Sequence, residues 1–263
     1  MTNEFYTEKG VVFCRRIDAL GFAAHGFSTR EGGVSRLEYT KSMNLAYCRG
    51  DDDGTVNKNR ELFAAAAGFD IGGLVTSDQT HSCRVEICDG KKKHYSGADG
   101  FVTSTPGVHV SVKTADCQPV MFADPVSRTV GICHAGWRGT MGGIAGKTAD
   151  MTSARGDKNR LIAVLGPCIG PCCFEVKDDF VSEFEKNAPE LLRFITGGSG
   201  VYHADISAMN RYVLLSHGLR GDNIFVCGQC TCCLENKYYS HRRQRGVRGT
   251  MMSVIGIKEA EPR

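Results

Sequence analysis

No stretch of this chain approaches the roughly 20 apolar residues that a helix needs to cross a bilayer, so a helical membrane span is not expected. The opening residues, Met1-Thr2-Asn3-Glu4-Phe5, lack the basic region and apolar core of a secretory leader, and the expected compartment is the cytoplasm. Net charge is also scarce. An excess of +3 is too small to imply nucleic acid or another polyanion as a partner. Linkers, repeats and low-complexity tracts are missing as well, so the expectation is one domain over 1–263, long enough to bury a core. Neither a membrane nor nucleic acid is an expected partner, and the sequence sets no oligomeric state.

Cysteine, by contrast, is abundant: the chain has 13. In a reducing compartment they are not expected to form a disulfide framework. They divide between small buried fillers and thiols that react or bind metal. An apolar content of 41% and a charged content of 23% otherwise describe an ordinary globular protein.

Apolar patterning predicts strands over 11–13, 23–28, 74–76, 84–87, 100–103, 108–112, 120–123, 129–134, 161–165, 223–227 and 252–255. The run at 129–134 is apolar enough for a buried sheet. Helices are predicted over 56–68, capped by Thr55 and ended by Gly68; over 142–153; over 178–186; and over 208–218, capped by Asp205 or Ser207. Gly32-Gly33 makes 30–35 a loop, and Lys91-Lys92-Lys93-His94 reads as a solvated turn. Strands and helices mix irregularly, which predicts an α+β fold around a large mixed sheet.

Three stretches then stand out, each at or near a predicted strand end: Gln79-Thr80-His81, Thr114-Ala115-Asp116-Cys117 and His134-Ala135-Gly136-Trp137-Arg138. Together they offer two imidazoles and one thiolate. That set leaves a fourth position open, as in a catalytic zinc site. Taken singly, a histidine such as His81 is usually a surface or satisfied core residue and a cysteine such as Cys117 an inert small hydrophobe, while the small residues beside His134 permit close approach by a ligand. Separations of 36 and 17 residues match no compact zinc-finger spacing.

Two further cysteine-rich regions lie at Gly166-Pro167-Cys168-Ile169-Gly170-Pro171-Cys172-Cys173 and Cys227-Gly228-Gln229-Cys230-Thr231-Cys232-Cys233. A structural zinc built from both and a packed crossing of two loops are both open readings. Arg242, Arg243, Arg245 and Arg248 follow Tyr238-Tyr239-Ser240-His241, and read as a phosphate-binding arginine or a salt-bridged turn rather than a nucleic-acid surface.

In their order along the chain, these motifs resemble the laccase-domain family of multicopper polyphenol oxidase-like, purine nucleoside phosphorylase and peptidoglycan editing factor proteins. The matching stretches are Phe27-Ser28-Thr29-Arg30 with Gly32-Gly33-Val34-Ser35; Met43-Asn44-Leu45; Gly50-Asp51-Asp52 with Val56 and Asn59-Arg60; Gln79-Thr80-His81; Ala98-Asp99-Gly100; Thr114 through Val120; His134 through Gly139; Gly166 through Gly170 with Cys172-Cys173-Phe174-Glu175-Val176; and Tyr239-Ser240-His241-Arg242-Arg243. The resemblance implies that His81, Cys117 and His134 bind a catalytic zinc. It implies an α/β layered sandwich of mixed sheets flanked by helices, related to a fold first grouped with cysteine hydrolases. The implied activity is phosphorolysis of adenosine, inosine and methylthioadenosine to base plus a ribose 1-phosphate derivative, with deamination of adenosine. Purine nucleosides and phosphate are thus the implied partners. One departure is Cys48-Arg49-Gly50, where relatives tend to have a histidine ahead of the Gly-Asp-Asp stretch.

Deamination needs a carboxylate to move protons beside the metal, and Asp99 and Asp116 are the candidates. Arg30, Arg60 and Arg138 are the candidate phosphate contacts, because the planar guanidinium matches phosphate oxygens. Asn44 and Gln79 complete the candidate substrate contacts. Rival readings remain: a hydrolase with Cys117 as nucleophile and His134 as base, editing peptidoglycan precursors; a copper-dependent polyphenol oxidase, for which the same ligand types serve; and a zinc-stabilised binding module. The 8 histidines include no His-x-His pair, which counts against several clustered copper ions.

Overall fold

Strands that are apolar along both faces decide the layering of this protein. The structure, a computed structural model, describes residues 4–153 and 157–259. Residues 1–3 of the opening stretch read above lie outside the described residues. The strand Gln118–Asp124 is buried at every position. Its side chains alternate between two cores. Met121 and Ala123 pack between two sheets, whereas Val120 and Phe122 pack against helices. Val12 and Cys14 likewise face the inter-sheet core while Val11 and Phe13 face outward to a helix.

The result is four layers. A seven-stranded mixed sheet has the order Phe5–Glu8, Val11–Cys14, Ala23–Ser28, Met251–Ile257, His109–Thr114, Leu74–Asp78, His94–Ser96. A six-stranded mixed sheet has the order Ile224–Val226, Ile162–Leu165, Gln118–Asp124, Thr129–Ala135, Gly100–Thr103, Val85–Ile87. The helix Asp53–Ala67 covers the outer face of the first through Phe63, Ala64 and Ala67. The helices Ile144–Thr152 and Ile206–Ser216 cover the outer face of the second through Ile144, Ala145, Ala149 and Leu214. This is the α+β layered sandwich of mixed sheets flanked by helices that the resemblance implied. Among the described residues no helix is long and apolar enough to cross a membrane.

Some local expectations are corrected. The first long helix begins at Asp53 and is capped by Asp52, not Thr55. The Asp52 carboxylate accepts both the Thr55 N–H (2.9 Å) and the Thr55 hydroxyl (2.7 Å), so the acidic neighbour takes the capping role. Gly68 does end this helix in the left-handed conformation, φ 70°. The single helix expected over 142–153 is two, Trp137–Met141 and Ile144–Thr152. They are separated at Gly142-Gly143, where Gly143 has φ 72°. Asp205 caps the helix Ile206–Ser216 through the Ala208 N–H. Lys91 to Lys93 are exposed, but His94 opens an edge strand and meets Asp78 at 3.0 Å. A small sheet of Glu175–Val176, Val201–Ala204 and Ile195–Gly198 had no sequence signal, being short and glycine-bearing.

Sheet register places the three motifs together. Leu74–Asp78 runs parallel to His109–Thr114, so Gln79-Thr80-His81 and Ala115-Asp116-Cys117 leave the first sheet at the same end. The second of these crosses to the six-stranded sheet, where Ala135 pairs with Gln118 and His134 with Pro119. Cys133 pairs with Gly100 on the other side, which brings Asp99 beside His134.

Phe63 is 1% exposed in the outer core, on the helix Asp53–Ala67. Truncation to alanine is expected to cost about 3–5 kcal/mol in denaturant unfolding while leaving metal content per folded molecule unchanged. A loss of metal from the folded variant would show that this layer also shapes the site.

Candidate metal centre and its cavity

One imidazole of the site is oriented by a buried carboxylate. Asp99 is fully buried, and its side chain accepts five hydrogen bonds. They come from the backbone N–H groups of Thr80 (3.1 Å), His81 (3.1 Å) and Ser82 (2.8 Å), the Ser82 hydroxyl (2.8 Å) and His134 Nδ1 (2.8 Å). Burial pushes this carboxyl up, but the bonds from His134 and Ser82 outweigh it and hold it at about 2. The same bonds hold His81 at φ 58°, a left-handed conformation that a non-glycine residue keeps only when its surroundings impose it.

With Nδ1 tied to Asp99, His134 presents its other nitrogen to the Cys117 thiol. The donor atoms of His81, Cys117 and His134 lie within 4.8 Å of one another. The two imidazole rings meet edge to face at 4.7 Å. Burial pushes the Cys117 thiol up, yet His134 and His81 more than reverse this and bring it down to about 6. Burial pushes His134 down, and Cys117 and Asp99 reverse that, raising it to about 9. The shifts describe a thiolate paired with a protonated His134; with that proton released, one thiolate and two imidazoles are a donor set that can hold a metal ion. Gly136 forms the cradle: a Cβ built there would sit 2.8 Å from His81 Nδ1 and 3.0 Å from Cys117 Sγ. The space over the three donors is therefore kept by the absence of a side chain.

The set opens into a cavity of about 630 Å³. Its apolar wall includes Tyr47, Trp137, Ile169, Phe174 and Ile206, and its basic wall Arg49, Lys113, His241, Arg242 and Arg248. Among the described residues no carboxylate lies within salt-bridge distance of Arg49, Lys113 or Arg248. Arg248 donates to Gly249 O (3.1 Å) and the Thr250 hydroxyl (2.7 Å), but its buried Nε has no partner. Burial, then the charge of Arg49, pushes its guanidinium down to about 10.

The other candidate residues distribute unevenly. Asp116 lines the cavity at φ 94°. Its carboxylate is held by the Thr231 hydroxyl (2.7 Å), the Ser240 hydroxyl (3.0 Å) and the Arg242 N–H (2.7 Å). Gln79 also lines it, but its amide pairs with both backbone groups of Lys113, at 2.9 and 2.7 Å. Four candidate contacts do not line it. Arg30 spends its guanidinium on the carbonyls of Lys41 and Glu235. Arg60 spends its own on Leu45 O and stacks on Tyr47. Asn44 is buried and bonds Ala46, Asp51 and Thr250. Arg138 is exposed and lies over the Trp137 ring at 4.1 Å. Asp99 is likewise not among the lining residues, so it is not placed as a free proton carrier. Lys113 had no sequence signal, because nothing in a strand pattern distinguishes a lysine at a cavity mouth. Arg49 sits in the Cys48-Arg49-Gly50 departure, and Arg248 in the arginine run noted from sequence.

Residues 24–258 match the family model described as multi-copper polyphenol oxidoreductase laccase. The chain is 34% identical over 251 residues to purine nucleoside phosphorylase YlmD of Geobacillus stearothermophilus, covering 90% of this chain and 91% of that protein. It is 34% identical over 229 residues to adenosine deaminase RL5 from an unknown prokaryotic organism, covering 82% and 87%. The crystal structure of YlmD from Geobacillus stearothermophilus superposes with a TM-score of 0.89 at 32% identity, covering 98% of this chain and 100% of that one.

Gly136 has φ −72°, which alanine adopts without strain, so Gly136→Ala tests the cradle alone. The variant is expected to fold with near-parental melting and to lose metal roughly tenfold or more in affinity, as changes around ligands commonly do. Elemental analysis of His81→Ala and Cys117→Ala is expected to show the same loss. Undiminished metal in all three variants would remove the triad as the site.

Proposed function

The chain belongs to the multi-copper polyphenol oxidoreductase laccase family that these matches define, and from that membership and the cavity's chemistry we propose that it is a zinc-dependent purine nucleoside phosphorylase that also deaminates adenosine. The observation that carries the reading is the juxtaposition of an open three-donor metal set with an arginine of unpartnered buried Nε in one cavity. Burying a cation that has no directly paired carboxylate is costly; the charges of Asp116 and Cys117 relieve part of that cost, and a phosphate bound there would relieve more.

His81, Cys117 and His134 would hold the ion. Two imidazoles and one thiolate suit zinc and copper alike, and the lack of any His-x-His pair favours a single zinc. When bound, such an ion supplies Lewis acidity to a substrate or water oxygen. The remaining roles fall to the chain's own groups. Asp99 positions His134 and the His81 backbone, in place of the proton-carrying role expected of it. Asp116 lines the cavity beside Cys117 and is the remaining candidate of the two for moving protons; the other lining carboxylate, Asp78, is paired with His94. The bonds of Asp116 to Thr231, Ser240 and Arg242 also fix its direction. Arg248, with Arg49 and Lys113, replaces Arg30, Arg60 and Arg138 as the phosphate contact. Trp137, Tyr47 and Phe174 offer flat apolar surface for a purine. Two sheets sharing one inter-sheet core support a single domain, and thirteen free thiols are compatible with work in the cytoplasm.

The thiol hydrolase is a second reading with its own observation: Cys117, His134 and Asp99 line up as nucleophile, base and orienting carboxylate. It leaves His81 without a role. Activity surviving complete removal of metal would favour it.

Metal-loaded protein incubated with adenosine, inosine or methylthioadenosine is expected to release free base only when phosphate is present. Arg248→Met is expected to raise the KM for phosphate roughly ten- to a hundredfold, the loss of a charge-assisted bond. Phosphate-independent conversion of adenosine to inosine should largely persist. No base released from any of the three nucleosides by the parent protein would sink the phosphorylase reading.

A further inference from the structure

Seven of the thirteen cysteines lie in the two loops at 166–173 and 227–233, and the proposed reaction uses none of them. Ile162–Leu165 and Ile224–Val226 are parallel neighbours, so both loops leave the six-stranded sheet at the same end. Their backbones stay joined beyond it. Cys168 N–H donates to Gln229 O at 3.3 Å, and Thr231 N–H to Cys168 O at 3.0 Å. Past this bridge four sulfurs converge, those of Cys172, Cys173, Cys230 and Cys233, all within 4.8 Å of one another. Cys233 Sγ lies 3.5 Å from Cys172 Sγ and 3.4 Å from Cys173 Sγ.

We propose that these four cysteines form a second metal site, a closed tetrahedral zinc site that is structural rather than catalytic. A zinc ion with Zn–S bonds of about 2.3 Å sets sulfur–sulfur edges of about 3.8 Å, the scale on which these sulfurs already stand. Four thiolates complete the coordination and leave no open position, in contrast to the His81, Cys117 and His134 set. Soft sulfur ligands select zinc over magnesium or calcium. Cys233 approaches two thiols equally, which groups the sulfurs around a point instead of pairing them. The Gly170 N–H donates to Cys230 Sγ at 3.2 Å, an outer contact of the kind that supports metal-bound thiolate. A Cβ on Gly170 would come within 3.3 Å of Cys172 Sγ, so the loop turns against the cluster at its smallest residue.

The site would brace one wall of the cavity without touching substrate. Thr231, between the cluster cysteines, donates its hydroxyl to Asp116. The Arg242 guanidinium donates to Cys173 O at 3.1 Å.

The test is zinc stoichiometry in protein isolated under reducing, anaerobic conditions, stripped with chelator and reloaded with zinc alone. The parent is expected to hold about two ions per chain, and Cys117→Ala and Cys233→Ser about one each. In the unmutated protein, alkylation of the exposed Cys172 and Cys233 is expected to slow roughly tenfold or more on zinc loading. The exposed Cys48 should stay equally reactive. One ion in the parent, lost entirely in Cys117→Ala, with Cys172 and Cys233 unprotected, would overturn the proposal. So would a disulfide among the four in the reduced preparation. If Cys233→Ser fails to fold, the alkylation pattern decides alone. Because the readouts are metal and thiol reactivity, the result is independent of nucleoside turnover.

Discussion

Everything at the candidate metal centre depends on the carboxylate of Asp99. It lies inside the protein, and an unpaired charge there would cost several kcal/mol. The chain meets that cost by turning three consecutive N–H groups, Thr80 to Ser82, towards it. Those bonds force His81 to φ 58°, and the backbone so bent delivers the His81 ring to Cys117. The same carboxylate orients His134. One buried charge thereby aligns two candidate metal donors carried by different sheets.

The sheet register does the remaining work. Cys117 stands where the chain passes from the seven-stranded sheet to the six-stranded one, between Thr114 and Gln118. Thr114 pairs in one sheet and Gln118 in the other, so the position of Cys117 between them is set by both layers. The cavity lies over this crossing and is lined from both sheets and from the loops that follow them. Asp116, at φ 94°, is held by Ser240, Thr231 and Arg242. The crossing is thus held by the loops that carry Ile169, Thr231, Ser240 and Arg242, while Asp99 holds the two histidines that face it.

How much of this is readable in the sequence follows from period and length. The long strands at 118–124, 129–135 and 251–257 show themselves because both faces are apolar. Phe5–Glu8 and His94–Ser96 are short and partly polar, and their pairing is decided by neighbours remote in sequence. The metal donors are visible as residue types at strand ends, yet spacings of 36 and 17 residues carry no distance information. Only the register of Gln118–Asp124 with Thr129–Ala135 makes Cys117 and His134 adjacent. The role of Asp99 is hidden for the same reason: a carboxylate that moves protons and one that orients a histidine are the same residue in a sequence.

The arginines make the point most sharply. Arg30, Arg60 and Arg243 sit in family-matching motifs, and each guanidinium there caps backbone carbonyls: Lys41 and Glu235, Leu45, and Thr231, Cys232 and Tyr238 respectively. A loop-rich layer exposes carbonyls that no strand or helix satisfies, and a five-donor fork serves them well. Phosphate makes the same geometric demand. Motif and residue type therefore cannot separate a carbonyl clamp from an anion site; the separating fact is which donors are left over. In Arg248 the fork is half used, with Nη1 spent on Gly249 and Thr250 and the buried Nε unbonded. That remainder, in the same cavity as the candidate metal triad and without a carboxylate in salt-bridge distance, is what sets one arginine of a structural run apart as the candidate anion contact.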